Sequence, residues 1–151
     1  MSNDIALFLK ETCFDINVKS GDLETDAGLE TSVAISLFTD KRVGEDDLPI
    51  GQSCKRGWWG DMVPEIDQDQ IGSRLWLITK EKRTQETLNR ANELHREALD
   101  WMIEDGVADS VTVVSSYDDA GQLIAEIEIS KPAGNTSRFL SNWDAQELRR
   151  L

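Results

Sequence analysis

Residues 110–130 place the strongest constraint on the fold. In "DSVTVVSSYDD" Val111, Val113 and Ser115 alternate with Thr112 and Val114. After a turn at Ala120–Gly121, Leu123, Ala125, Ile127 and Ile129 alternate with Ile124, Glu126 and Glu128. Successive side chains of a strand point to opposite faces. The two runs therefore predict a β-hairpin with one buried face, which must find something apolar to cover it.

A helix upstream can supply that cover. "TQETLNRANELHREALDWMIEDGVA" has Thr84 placed as N-cap and Glu86 or Thr87 in the first turn. Leu88, Ala91, Leu94 or His95, Ala98, Trp101 and Met102 follow helical spacing, and Gly106 ends the run. The expected length is about 20 residues, or about 30 Å. His95 is expected on a partly exposed face. Earlier, "LETSVAISLFTDKR" repeats Leu29, Val33 and Leu37 with Ala34 and Phe38 beside them. That suggests a second helix capped by Thr25 or Asp26, with Lys41 and Arg42 in its last turn. Its β-branched residues keep a buried strand open. Residues 4–9 and 14–18 alternate as strands do. "SRLWLITK" is a short apolar helix or strand. "SRFLSNW" is an edge strand or short helix, and "DAQELRRL" a helical or frayed tail. The fold class is α+β: a small antiparallel sheet, made of the C-terminal hairpin plus N-terminal strands, packed against two or three helices. At 151 residues the chain fits one domain, 1–151, and can bury a core without disulfide or metal staples.

Composition narrows the function. The formal charge of −13 repels phosphate backbones and argues against a nucleic-acid partner. The imbalance is uneven: residues 1–50 carry four Lys/Arg against eleven Asp/Glu, and residues 131–151 four against two. An acidic head and a mildly basic tail can dock copies or partners in register. No apolar run is long enough to span a bilayer. The N-terminus has no basic segment before its short "IALFL", so it does not resemble a secretory signal. Cys13 and Cys54 are expected as free, buried thiols in a reducing compartment. With one histidine and no CxxC, a zinc site of usual spacing is not formed. No GxSxG, P-loop or GxGxxG is present.

The stretch between the helices, "VGEDDLPIGQSCKRGWWGDMVPEIDQDQIGS", is long and broken by glycine and proline. Such loops are functional or disordered, and its tryptophans argue for order. Trp58, Trp59 and Trp76 fall within 19 residues of sequence, with Arg56 and Arg74 among them. Trp and Arg dominate interface hot spots because they join large contact area to directed hydrogen bonds. Neighbouring tryptophans point different ways, so one is expected to anchor the loop while the other meets a partner. Asp61 is expected to cap or to pair with Arg56 or Arg74. Asp61, with Glu104 or Asp105, is the carboxylate set a glycosidase would use. A carbohydrate-binding module stacking sugars on Trp58 and Trp59 is the other alternative.

"GLETSVAISLFTDKR", "RGWWGD", "GSRLWLITKEK" and "ALDWMIEDGVA" together resemble the Mu-like phage tail protein family, small wedge components of contractile-tail baseplates. The family is distantly similar to a T-even wedge protein once described as a lysozyme. The resemblance runs from residue 4 to about 143. It implies a structural subunit on an α+β wedge fold, present in several copies around the tail axis, with no catalysis, metal or cofactor. It also implies partners among other baseplate and tail proteins, with self-association in the baseplate, and no nucleic acid or membrane. The place would be the virion tail, after assembly in the host cytoplasm. Arg56, Gly57, Trp58, Trp59, Gly60 and Asp61, with Arg74 and Trp76, would be its signature region.

Overall fold

The computed structural model describes residues 4–10, 13–26, 28–63, 65 and 70–151. The expected C-terminal hairpin forms one half of a four-stranded antiparallel sheet, its first strand at the edge. Six short strands precede it: β1 (Asp4–Ile5), β2 (Leu7–Lys10), β3 (Cys13–Ile16), β4 (Val18–Lys19), β5 (Asp22–Leu23) and β6 (Thr25–Asp26). They pair among themselves as β1–β6, β2–β3 and β4–β5, all antiparallel, and do not join the main sheet. Ala6 donates its N–H to Glu24, and Glu24 donates to Asn17, so the three ladders meet at one junction.

Helix α1 spans Glu30–Phe38. Asp26 caps it from outside: its carboxylate accepts the N–H groups of Gly28 (2.6 Å) and Thr31 (2.9 Å). The helix stops short of Lys41 and Arg42, because Thr39 turns extended, and Ser73 donates its N–H to the Thr39 carbonyl and accepts that of Lys41. Val33, Ala34 and Leu37 are buried, which is the apolar stripe of the sequence.

Helix α2 (Gln85–Leu99) starts at Thr84, whose hydroxyl accepts the Thr87 N–H at 3.2 Å. A tightened turn at Asp100 separates it from α3 (Trp101–Glu104). Gly106, at φ 69°, ends the helical run, where Val107 and Ala108 both donate to the Met102 carbonyl. His95 is not on an exposed face; it is buried, 1% exposed, on the same stripe as Ala91, Leu94 and Ala98.

The sheet order is β10-β9-β8-β7, from β7 (Ser110–Tyr117), β8 (Leu123–Ser130), β9 (Thr136–Asn142) and β10 (Glu147–Arg150). "SRFLSNW" is thus an interior strand. "DAQELRRL" contributes an edge strand rather than a helix: pairing with β9 buries Leu148 and overrides the helix preference of Glu, Leu and Arg. Val113, Ile127 and Phe139 form one buried cross-strand row, and Ser115, Ala125 and Ser141 a row of small residues beside it. Helix α2 packs along β7, and Asn92 reaches over to accept the Ser115 N–H at 2.7 Å.

A stack of three rings joins the N-terminal ladders to the rest: Phe14 on Phe38, and Phe38 on Trp143, each with centroids 5.9 Å apart. The basic tail folds back on the acidic head within one chain. Asp26 Oδ1 and Arg150 Nη1 lie 3.1 and 3.4 Å from the position a Cβ on Gly28 would take. Cys13 and Cys54 are free but exposed, not buried. Cys13 begins β3, paired with Lys10, and Cys54 lies in the polar loop.

Candidate interaction site

The described residues of the long polar stretch, 43–63, 65 and 70–73, form a loop tied to two other segments; Pro64 and residues 66–69 lie outside the described residues. Arg56 and Gly57 take left-handed backbone angles, φ 49° and 104°, and turn the chain sharply. Close approach requires glycine here: a Cβ on Gly57 would sit 2.6 Å from the Arg42 Cβ. Val43 donates its N–H to Lys55 and Lys41 donates to Ser73, so residues 41–43 run between the two signature blocks.

The anchoring indole is Trp76, not a member of the Trp58–Trp59 pair. It is 4% exposed in the short 3-10 turn Leu75–Leu77, and its Nε1 donates to the Lys41 carbonyl at 3.0 Å. The Arg56 guanidinium covers its face with Cζ 4.7 Å from the centroid, while Nη1 pairs with Asp40 at 2.8 Å. Trp58 and Trp59 are 45% and 78% exposed and lean on each other, centroids 5.3 Å apart and planes at 46°. Neither indole of the pair is in the core: Trp58 is half-exposed, and the turn Trp59–Met62 that follows it lies at the surface with no buried residue. Gly60 lies under the Trp58 ring, where any Cβ would overlap it.

Asp61 pairs with neither Arg56 nor Arg74. Its Oδ1 accepts the Ile71 N–H at 3.3 Å, closing the loop, and its Oδ2 is buried without a partner among the described residues. Arg74 instead holds Glu97 by two limbs, Nε at 3.1 Å and Nη2 at 2.6 Å, with Asp47 at 3.5 Å on Nη1. The Glu97 hydrogen bond is the first cause raising the Arg74 pKa above its ordinary value; the charges of Glu97 and Asp47 add to it, and burial opposes. Lys41 Nζ stands 3.8 Å from Glu97 on the other side. The sequence marks both arginines but not their partners Asp40 and Glu97, because each lies 16 or more residues away.

Helical spacing places Trp101 with the apolar stripe of the helix. It stands instead at the stripe's edge, 37% exposed, with Nε1 donating to Ser36 Oγ at 3.0 Å. Trp58, Trp101 and Glu104 line one surface groove that Asp61 and Asp105 do not line. The carboxylates considered for glycoside cleavage are therefore not gathered in one cleft. Among the described residues no group of three or more His, Cys, Asp or Glu is placed to hold a metal ion, and no helix is long and apolar enough to cross a membrane.

The sequence of residues 29–136, which includes both signature blocks, matches the family model described as phage protein GP46. The chain belongs to this phage GP46 family. It is similar to the baseplate protein gp46 of Escherichia phage Mu, 39% identical over 133 residues, which cover 87% of this chain and 90% of that protein. It is also 36% identical over 143 residues to the Mu-like prophage FluMu protein gp46 of Haemophilus influenzae, across 93% of this chain and 98% of that one.

Proposed function

We propose that this GP46 chain is a structural subunit of the baseplate of a Mu-like phage or prophage tail, acting through protein–protein contacts and not through catalysis. The observation that carries the reading is the turn 58–63. Trp59, Met62 and Val63 are each 78% or more exposed, beside half-exposed Trp58, on a loop tied down by Arg56, Asp61 and Trp76. Large apolar side chains held in water on an ordered turn mark a surface that a partner covers. Arg56, Gly57, Gly60, Asp61, Arg74 and Trp76 build the turn, and Trp58 and Trp59 present it. In this reading the chain works as one domain, is assembled in the host cytoplasm, and ends in the virion tail against other baseplate proteins and further copies of itself.

The test is complementation of a phage or prophage deleted for this gene. A Trp59→Ser, Met62→Ser, Val63→Ser variant should fold with a melting temperature near that of the parent and fail to restore tails. Full tail yield from that variant would overturn the surface assignment. Working tails from the deletion alone would overturn the baseplate role.

A further inference from the structure

A groove of about 600 Å3 opens between α1, the start of α3 and the tryptophan loop. Trp58, Trp101, Ala98 and Gly72 are among the residues that line it. Trp101 is held by its hydrogen bond to Ser36, so this side is preformed. Asp100 and Glu104 lie on its rim and are exposed. Glu97 also lines the groove, but Arg74 and Lys41 already neutralise it. All sixteen Lys and Arg of the chain are among the described residues, and none forms an ion pair with Asp100 or Glu104. The groove is thus lined by two indoles and two uncompensated carboxylates, with Lys41, also in its lining, held by Glu97, on a chain of charge −13.

That chemistry selects its occupant. An apolar segment laid here would bury two carboxylates without partners, which is costly. A cation satisfies both features, since it is attracted to indole faces and to carboxylates alike. Arginine fits better than lysine, because its planar guanidinium stacks on a ring while its edges donate to carboxylates. The chain already uses this arrangement once, with Arg56 on Trp76 and Asp40. We propose that the groove receives an arginine side chain carried by a neighbouring baseplate protein, stacked against Trp58 and Trp101 and paired with Asp100 and Glu104. The proposal rests on the baseplate reading for the source of the arginine, and on the groove alone for its chemistry.

The full chain, labelled with nitrogen-15, would be titrated with acetyl-arginine amide and separately with its uncharged isostere acetyl-citrulline amide. The Trp58 and Trp101 indole N–H signals should move saturably with arginine, half-way at about 10 mM, as expected for one side chain without its partner protein. Citrulline should bind at least about tenfold more weakly, and an Asp100→Asn, Glu104→Gln variant should lose about tenfold toward arginine. The Trp76 and Trp143 signals should stay in place in that variant, reporting an intact fold. Equal response to arginine and citrulline, or an unchanged response in the variant, overturns the proposal. So does movement of the same two indoles by N-acetylglucosamine oligomers and not by arginine, which would make the groove a saccharide site. The titration needs no assembled tail. A dispensable gene would sink the baseplate reading and leave the groove; an unresponsive groove would do the reverse.

Discussion

The Arg56 guanidinium lies 4.7 Å from the centre of the Trp76 indole, 20 positions further along the chain, and so joins the two signature blocks. The same side chain reaches Asp40 at 2.8 Å, so one residue ties the tryptophan loop to both segments beneath it. Arg56 is partly exposed, and each contact is individually weak. Arg56→Ala should lower stability by about 1 kcal/mol in urea unfolding. Trp76→Ala should cost about 3–5 kcal/mol, because it empties a buried indole site and leaves the Lys41 carbonyl without its donor. Equal losses for the two variants would show that Arg56 is not the lesser, surface half of the contact.

Two glycines should respond to different extents. Gly72 has φ 103°, and a Cβ there meets the Thr39 carbonyl, a backbone group that cannot swing aside. Gly72→Ala should therefore destabilise by about 2–3 kcal/mol. Gly60→Ala meets only the Trp58 ring, which is half-exposed and can move. It should cost less than about 1 kcal/mol yet change the near-ultraviolet circular dichroism of the indole pair and reduce tail assembly. Unaltered indole signals in Gly60→Ala would contradict the packing of Trp58 over this glycine.

The Arg74–Glu97 pair is two-limbed and about one third exposed on each side. A double-mutant cycle of Arg74→Gln with Glu97→Gln should give a coupling of about 1 kcal/mol, discounted for screening by solvent. Arg74→Lys should lose most of that coupling, since lysine cannot present two parallel donors. A lysine variant as stable as the parent would mean that charge alone, without the planar fork, holds the pair.

His95 predicts a pH dependence. Burial is the main cause that lowers its pKa from 6.5 to about 4, partly offset by the bond from Nδ1 to the Ala91 carbonyl at 2.8 Å. Its Nε2 is buried without a partner among the described residues. Between pH 6.5 and about 4 the unfolded chain takes up a proton that the folded chain refuses. Stability therefore falls as pH drops through this window, by up to about 3 kcal/mol. His95→Leu removes this contribution, so the stability difference between parent and variant should change across the window and be flat above it. Curves that stay parallel from pH 7 to pH 4 would refute the assignment.

Much of the architecture was legible in the sequence because it is encoded by near neighbours. Alternation at period two marks β7 and β8, helical spacing behind Thr84 marks α2, and Gly106 marks where the helical run ends. The family followed from short blocks of distinctive residues, and so did the ordered character of the tryptophan loop. Tertiary structure alone decided the partners. With 29 acids available, nothing local told Arg56 to take Asp40, or Arg74 to take Glu97 and leave Asp61 to the Ile71 N–H. It also decided that Trp76 is the anchor and both Trp58 and Trp59 are presented, that His95 is inside, and that the polar tail completes the sheet as β10. Periodicity and capping are set within about four residues, whereas ion pairs and burial depend on which distant segments the folded core brings within a few ångströms.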